Sequence, residues 1–229
     1  MTDNSEFGVI FDVDGVLVDS YDAHFQAWRT TMTKYGWACT EADFATGFGR
    51  TSREVLRSLL GDELPDETIR QFDEEKEALF RRAIAEDFPA MPGAVELLRN
   101  LAAEGVPMAI GSSAPPPNVQ AVMDALNANE LISTVITGVD VTIGKPHPEV
   151  FLLGARGLGL HPSRCVVLED APPGVEAALA AGSRCLGVVS RGRTREELHR
   201  ADAHVSDLTT VTADMLRSIV NGEGQCHAS

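Results

Sequence analysis

The strongest constraint on the fold is a repeated alternation of short apolar segments with amphipathic ones, which runs through most of the chain after residue 90. The short apolar segments are bounded by Gly, Pro, Ser or Asp, and they predict strands over 8–11, 107–111, 134–137, 165–168 and 185–189. Because both faces of these segments are apolar, we expect a buried parallel sheet. Strands that alternate with helices in this way indicate an α/β fold.

Helices are predicted between the strands from the spacing of apolar residues. One ends at Gly105, a second includes residues 119–126, and a third runs over 172–181. Thr194 and Glu197 have the spacing of a capping box, so they predict the start of a fourth helix.

Residues 20–89 have a different pattern, because no strand-like run of β-branched residues occurs there. Apolar residues at helical spacing, such as Phe25, Trp28 and Met32, predict a helical insertion instead. Asp19 and Ser20 are placed to cap the first helix of this insertion.

The insertion divides the chain into two predicted domains, a core of residues 1–19 and 90–229 and a helical domain of residues 20–89. A chain of 229 residues can bury one full core and a small second one. Acidic residues predominate in 62–87, which is typical of a solvated helix face.

The overall charge restricts the partners. With 34 acidic and 19 basic residues the formal net charge is −15, so nucleic acid and anionic membrane surfaces are poor partners. The first Lys or Arg is Arg29, no basic segment precedes the first apolar run, and no apolar stretch approaches membrane-spanning length. We therefore expect a cytoplasmic protein. The four cysteines are irregularly spaced, which argues against a disulfide framework or a zinc site and favours buried thiols at Cys165 and Cys185.

Acidic residues stand at the ends of two predicted strands. Asp12 and Asp14 follow the first strand, and two carboxylates at this spacing repel each other unless a cation or a proton lies between them. The alternative is an ordinary turn, since Asp14 precedes Gly15. Glu169 and Asp170 follow the fourth strand in the same way.

A hydroxyl pair and a lysine accompany these acids. Ser112 and Ser113 follow the second strand and precede a proline-initiated helix, whose N-terminus attracts anions such as phosphate, although a serine there can also be a simple N-cap. Lys145 precedes Pro146, so its backbone is extended, although a loop lysine is usually solvated. Since ligands bind beyond the carboxyl ends of parallel strands, we expect these groups to form one site.

In this order, the Asp12–Gly15 segment, Ser112, Lys145 with Pro146, and Glu169 with Asp170 resemble the four motifs of the haloacid dehalogenase superfamily. The match covers nearly the whole chain. The resemblance implies a Rossmann-like core with an inserted small α-helical cap and the use of Mg²⁺. It is similar in particular to phosphoglycolate phosphatase and β-phosphoglucomutase relatives.

The resemblance also implies roles for the acidic residues. Asp12 would attack phosphorus to form an aspartyl phosphate, and Asp14 would act as general acid and base. Mg²⁺ would be held by the carboxylates of Asp12 and Asp170 and by the backbone carbonyl of Asp14, with Glu169 acting through water. Since the dehalogenases lack the second aspartate, dehalogenation is not expected.

The remaining phosphoryl oxygens would be bound by Ser112 and Lys145, with Ser113 beside them. On the helical domain, His24, Arg50 and Arg53 would contact the substrate, because they resemble the family's substrate residues in position.

Two departures separate the chain from the mutase relatives. Apolar Ala114 and prolines follow the second-motif serine, where those relatives have a polar, basic stretch, and Phe48 stands at the position of their cap lysine. Both departures favour a phosphatase over a mutase.

The expected function is hydrolysis of a small phosphomonoester, with a sugar phosphate as the favoured substrate. The expected partner is a small phosphorylated metabolite. The first alternative is a β-phosphoglucomutase-type isomerase of hexose phosphates. A receiver-type signalling module or a noncatalytic phosphate-binding protein is less favoured. The oligomeric state is open, and a monomer is plausible.

Overall fold

The computed structural model describes residues 7–47 and 52–223, and it divides the chain into two compact units. The first, which we call the sheet unit, contains the chain up to Asp19 and from Pro89 onwards. The second, the helical unit, is Ser20–Phe88. The sequence analysis placed the second boundary one residue later. That the helical unit serves as a cap stays a prediction.

Within the described residues, the sheet unit contains six strands that are all parallel, in the order β3-β2-β1-β4-β5-β6. The strands are β1 (Gly8–Phe11), β2 (Met108–Gly111), β3 (Thr134–Ile136), β4 (Cys165–Glu169), β5 (Arg184–Val188) and β6 (Ala203–Val205). The predicted α/β class with a parallel, Rossmann-like sheet is confirmed. β6 was not predicted, because a three-residue strand with a polar centre carries little pattern.

Helices alternate with strands in most of the sheet unit, whereas the described residues of the helical unit form four helices and none of the six strands. Their bounds are α1 (Tyr21–Lys34), α2 (Glu41–Gly47), α3 (Ser52–Leu60), α4 (Asp66–Glu86), α5 (Ala94–Ala103), α6 (Pro116–Leu126), α7 (Glu149–Gly157), α8 (Pro172–Ala180) and α9 (Ala213–Asn221). α7 and α9 were not predicted. α7 contains Gly154, which disfavours a helix but lets it pack closely on β1, since a Cβ there would lie 3.2 Å from Ile10 Cδ1.

The helix predicted to start at Thr194 is absent from the described residues. The capping box itself forms, because Thr194 N–H donates to Glu197 Oε2 at 2.7 Å and Glu197 N–H donates to Thr194 Oγ1 at 3.2 Å. Residues 195–200 nevertheless form turns. Asp202 N–H already donates to the Cys185 carbonyl, so the chain must enter β6 before a helix can extend.

The helical unit has an aromatic core between α1 and α4. The rings of Trp28 and Phe72 lie 4.9 Å apart, and Met32 is fully buried. Ser20 occupies the N-cap position of α1, but the prediction that its side chain caps the helix is wrong. Its backbone is helical (φ −84°, ψ −5°) rather than extended, so the hydroxyl makes no capping hydrogen bond.

Two further observations concern the predicted cellular setting. None of the helices in the described ranges combines the length and the apolar character that a membrane span requires. The prediction of buried thiols is confirmed for Cys165 and Cys185, which are fully buried, and Cys39 is half-buried. The fourth cysteine, Cys226, lies outside the described residues.

Candidate active site

The carboxylates predicted at strand ends meet at the carboxyl edge of the sheet. β1 and β4 are neighbours in register, with Phe11 opposite Leu168, and Asp12 N–H donates to the Leu168 carbonyl at 3.0 Å. Glu169 is the last residue of β4 and Asp170 follows it. The chain passes from β1 through β2 to β3 on one side and then returns across β1 to β4, so these acids lie at the topological switch point where such sheets bind ligands.

Asp12, Glu169 and Asp170 form a group that we call the acidic triad. Each offers one carboxylate oxygen, and these oxygens all lie within 4.8 Å of one another. All three residues are at least nine-tenths buried. Three carboxylates this close in a buried place repel each other strongly unless positive charge lies among them.

Lys145 supplies part of that charge. Its Nζ donates to Asp12 Oδ1 at 2.7 Å and to Glu169 Oε1 at 2.6 Å, and its side chain is only 9% exposed. The ammonium therefore links the carboxylates at the ends of two neighbouring strands. It also lies 4.9 Å from the centre of the Phe151 ring, which shields one side of it.

The loop that carries this lysine, between β3 and α7, is held at both ends by carboxylates. Asp140 Oδ2 accepts hydrogen bonds from Thr137 N–H at 2.8 Å and from the Thr137 hydroxyl at 2.6 Å. Glu149 Oε2 accepts the consecutive backbone N–H groups of Thr142 and Ile143, each at 2.9 Å. These bonds fix the backbone from which the lysine reaches the acidic triad.

Burial and mutual repulsion disfavour the ionised forms of two carboxyls of the acidic triad and raise their pKa values. Burial raises the pKa of Asp12 well above its usual range, and Glu169 and Asp170 add to this against the attraction of Lys145. The pKa of Asp170 is raised to about 7, chiefly by burial and by Glu169. Burial acts to lower the pKa of Lys145, but Asp12 and Glu169 outweigh it and the net pKa is raised. Lys145 therefore keeps its proton. Its single positive charge does not balance the negative charge of three ionised carboxylates, so the acidic triad is undercompensated.

The oxygen chemistry of the acidic triad fits a hard metal ion. Carboxylate oxygens are the ligands that hard divalent cations prefer in proteins, and two further positive charges would balance the excess negative charge. The acidic triad can therefore hold a metal ion.

Ser112 and Ser113 have different environments. Ser112 is buried directly after β2, its N–H donates to the Ile136 carbonyl at 3.0 Å, and its Oγ accepts from Ala114 N–H at 3.1 Å. β2 pairs with β1, so Ser112 follows the strand beside the one that carries Asp12. Ser113 is exposed. The geometry supports the predicted phosphate role more strongly for Ser112 than for Ser113.

Asp14 lies close to the acidic triad without belonging to it. It is half-buried, and its charge contributes to the raised pKa of Asp170. It begins a turn in which Gly15 N–H donates to the Val18 carbonyl at 2.9 Å. A partly exposed carboxyl beside a buried charged group is suited to exchange protons with a bound molecule.

Comparison with known proteins identifies the family. Residues 8–182 match the haloacid dehalogenase-like hydrolases. Hexitol phosphatase A of Escherichia coli K12 is 34% identical over 207 residues, covering 90% of this chain and 93% of that protein. Validoxylamine A 7'-phosphate phosphatase of Streptomyces hygroscopicus subsp. limoneus is 31% identical over 205 residues, covering 88% of this chain and 94% of that protein. The crystal structure of β-phosphoglucomutase from Clostridium difficile superimposes with a TM-score of 0.83 at 25% identity, covering 95% of this chain and 98% of that one.

The chain belongs to the haloacid dehalogenase-like hydrolases. The predicted family is therefore confirmed, and so is the prediction that the chain is an enzyme. The interpretation as a receiver-type signalling module is wrong, because the matched family is one of hydrolases and the match extends through the helical unit.

Two glycines of this hydrolase make room for the acidic triad. A Cβ at Gly15, whose φ is +73°, would lie 2.0 Å from Asp170 Oδ2. A Cβ at Gly174, in the first turn of α8, would lie 1.7 Å from Glu169 Oε1. Neither close approach was predicted, because packing against a distant carboxylate leaves no mark in the local sequence.

Ser190 is a residue of the hydrolase site that the sequence analysis missed. It is 7% exposed, and its Oγ donates to Asp170 Oδ2 at 2.7 Å. It stands just beyond the end of β5. Its position directly after the predicted fifth strand is its one sequence signal, and that position alone does not indicate the hydrogen bond to Asp170.

The predicted substrate residues of the helical unit have mixed environments. The ring of His24 stacks on Phe80 with 3.8 Å between centroids and 1° between planes. Arg53 is exposed, and its Nη1 donates to Asp66 Oδ1 at 2.6 Å. Arg50 lies outside the described residues, as does Phe48. Nothing here tests the substrate role of these residues, which stays a prediction.

The helical unit also buries a lysine whose burial was not predicted from the sequence. Lys76 is 5% exposed, forms an ion pair with Glu77, and has its Nζ 5.8 Å from the centre of the Trp28 ring. The acidic run 62–87 predicted a solvated face, and for this position the prediction is wrong. Its neighbour Trp28 belongs to another helix, α1, which the local charge pattern cannot show.

Proposed function

We propose that this hydrolase is a Mg²⁺-dependent phosphatase that hydrolyses a small sugar phosphate through an aspartyl phosphate. The observation that carries the proposal is the buried Lys145 ammonium between Asp12 and Glu169 at the switch point of the sheet. A buried cation bonded to an undercompensated carboxylate cluster prepares a place for a phosphoryl group and a divalent ion together.

Asp12, Glu169 and Asp170 are the residues that would hold Mg²⁺, with the backbone carbonyl of Asp14. When bound, Mg²⁺ would supply positive charge that draws electron density from the phosphoryl oxygens. The all-oxygen donor set of the acidic triad disfavours the softer metals, which prefer nitrogen and sulfur ligands. The choice of Mg²⁺ among the hard cations rests on the family resemblance.

The chain's own residues account for both chemical steps. A carboxylate oxygen of Asp12 attacks phosphorus, the bond between phosphorus and the ester oxygen breaks, and the leaving alkoxide takes a proton from Asp14. Asp14 then removes a proton from water, which attacks phosphorus and releases inorganic phosphate from Asp12. Lys145 and the Ser112 hydroxyl stabilise the charge on the transferred group throughout.

The substrate class follows from the relatives. Hexitol phosphatase A and validoxylamine A 7'-phosphate phosphatase are named for phosphorylated polyhydroxy compounds, and each aligns over most of its length. In our proposal the helical unit acts as a cap that selects the leaving group, with His24, Arg50 and Arg53 as its substrate residues. A cytoplasmic location and a monomeric state also stay predictions.

A screen of phosphorylated metabolites for released phosphate, with Mg²⁺ and with EDTA, tests the proposal. We expect Mg²⁺-dependent turnover of sugar or hexitol phosphates. Asp12→Asn should lose at least about a thousandfold in turnover, because the nucleophile is removed. Asp207→Asn, which changes a half-buried acid elsewhere in the sheet unit, is the matched control. Full Mg²⁺-dependent activity in Asp12→Asn would refute the nucleophile assignment and the covalent route.

A second measurement tests whether the helical unit selects the substrate while the sheet unit carries out the chemical steps. Substituting His24 or Arg53 by Ala should change the preference among sugar phosphates and leave hydrolysis of p-nitrophenyl phosphate within a few-fold of wild type. An equal loss on both substrates would contradict the proposed cap function.

The mutase alternative is favoured by one observation, the structural likeness to β-phosphoglucomutase. Against it, no basic side chain occurs in 113–117, directly after Ser112. Incubation with β-glucose 1-phosphate and its 1,6-bisphosphate separates the two functions. We expect inorganic phosphate as the product, and accumulation of glucose 6-phosphate would establish the mutase instead.

A further inference from the structure

The carboxylate of Asp170 is held by two groups from distant parts of the chain. Ser190 Oγ donates to its Oδ2 at 2.7 Å, and both residues are more than nine-tenths buried. The same oxygen lies so close to Gly15 that a Cβ there would be 2.0 Å from it. A hydrogen bond on one side and close packing on the other leave this carboxylate little freedom to rotate.

The backbone of Ser190 is itself fixed. Its N–H donates to the Val188 carbonyl at 2.9 Å, and its carbonyl accepts from Arg193 N–H at 3.1 Å. The preceding N–H, of Val189, donates to the Val205 carbonyl at 2.8 Å and ties the segment to β6. Gly192 has a φ of +82°, which allows the turn to close. The hydroxyl therefore reaches Asp170 from a backbone that is bonded on both sides.

We propose that Ser190 is a positioning residue, which sets the orientation of the Asp170 carboxylate and so the affinity of the acidic triad for its metal ion. The inference rests on the proposed function, because it takes Asp170 as a metal ligand. Ser190 acts through Asp170 and is not assigned a contact with the substrate. Groups that orient metal ligands typically change metal affinity or activity by 10-fold to 100-fold when they are removed.

A purely structural role for Ser190 makes a different prediction. If the side chain only fills space beside β5, replacing its hydroxyl would change stability and leave metal binding alone. Ser183 provides the matched comparison, because it is a buried serine at the other end of β5 and its Oγ has no hydrogen-bond partner among the described residues.

The experiment compares wild type with Ser190→Ala, Ser190→Thr and Ser183→Ala. Mg²⁺ binding is measured by calorimetric titration without substrate, and thermal melting in EDTA reports folding. We expect Ser190→Ala to bind Mg²⁺ 10-fold to 100-fold more weakly. Ser190→Thr keeps the hydroxyl and should remain within a few-fold of wild type, and Ser183→Ala should match wild type. In turnover assays, Ser190→Ala should need more Mg²⁺ for half-maximal activity while its kcat at saturating Mg²⁺ falls less.

Each outcome bears on the proposal. Wild-type Mg²⁺ affinity in Ser190→Ala, or an equal loss in Ser183→Ala, would overturn the positioning role. If Ser190→Ala does not fold, the comparison between Ser190→Thr and wild type decides, and a 10-fold loss in the threonine variant would overturn the role of the hydroxyl. Mg²⁺ binding by a wild-type protein that hydrolyses no phosphomonoester would refute the proposed function while the role of Ser190 is still measured. No Mg²⁺ binding by wild type would refute both.

Discussion

The two units bury one lysine each, and they do so in opposite ways. In the sheet unit, Lys145 lies between Asp12 and Glu169, which two neighbouring strands bring together from distant parts of the sequence. In the helical unit, Lys76 lies near the face of Trp28 and pairs with the adjacent Glu77. Lys145 is bound by two carboxylates from distant parts of the sequence. Lys76 is bound by the carboxylate next to it in sequence and lies near an aromatic ring. The contrast indicates that Lys145 stands among more negative charge than it can balance, whereas Lys76 is paired with the residue next to it in sequence.

Replacing each lysine by methionine tests this contrast and should give the largest effect. Methionine keeps most of the volume and removes the charge. Lys145→Met leaves buried carboxylates without their cation, so at pH 8 and without Mg²⁺ it should lose about 3–5 kcal/mol of unfolding free energy. Its turnover should fall by about 10²–10³-fold, because in the proposed function Lys145 donates to the transferred group. Urea denaturation and phosphate release provide the measurements.

Lys76→Met is the matched variant. It should lose no more than about 1.5 kcal/mol, since its apolar contacts are retained, and it should leave turnover of p-nitrophenyl phosphate within a few-fold of wild type. Equal losses in the two variants would show that the difference between the two buried lysines has no energetic consequence.

The pH dependence of stability should also differ in sign between the units. Burial and Glu169 raise the pKa of Asp170 to about 7, so the folded protein holds this proton more tightly than the unfolded chain does. The resulting stabilisation is present at low pH and is lost as the pH rises from about 4 to about 7. In the helical unit, hydrogen bonds from Thr40 lower the pKa of Asp43, so its stabilisation is present above the usual carboxyl pKa and is lost as the pH falls.

Urea denaturation in EDTA between pH 4 and pH 8 measures the first of these effects. We expect Asp170→Asn to make the decline between pH 4 and pH 7 shallower, because it removes one of the carboxyls whose pKa is raised. Asp43→Asn should leave that decline unchanged. A decline of the same steepness in Asp170→Asn would assign the pH dependence to other groups.

The features that the sequence predicted well are those with a strong local pattern. A buried parallel strand needs a short apolar run bounded by chain-breaking residues, so 8–11 was predicted with the observed bounds. Asp12 and Glu169 were selected because ligands bind beyond the carboxyl ends of parallel strands. The structure then places both on Lys145, as expected for groups at the carboxyl ends of neighbouring strands.

The features that could not be predicted from the sequence depend on contacts between distant segments. Ser190 has no motif around it, and its role is visible only beside Asp170. Lys76 lies beside Trp28, which is far from it in sequence. Local patterns report which residues a segment contains, whereas these two residues acquire their environment from another element of the fold.

Substitution of Gly174, which packs closely in the sheet unit, should give an effect of intermediate size on stability. Because a Cβ there would lie 1.7 Å from Glu169 Oε1, Gly174→Ala should displace this carboxylate and lose about 1–3 kcal/mol of unfolding free energy. Mg²⁺ affinity should fall as well. Gly144→Ala is the control, since a Cβ there would meet nothing within 4 Å. Urea denaturation and calorimetric Mg²⁺ titration check both variants, and a wild-type Mg²⁺ affinity in Gly174→Ala would show that Glu169 tolerates displacement.

The exposed ion pairs of the helical unit should give the smallest effect. Asp66 Oδ1 accepts from Arg53 Nη1 at 2.6 Å and from Arg57 Nη2 at 2.8 Å, and the Asp66 side chain is 65% exposed. Exposed pairs contribute about 0–1 kcal/mol, because water screens the charges and ordering the side chains costs entropy. Asp66→Asn should therefore change the unfolding free energy by less than about 1 kcal/mol, and the change should shrink in high salt. A loss comparable with that of Lys145→Met would mean that charge in the helical unit is as strongly coupled to the fold as charge in the acidic triad, and the contrast between the units would fail.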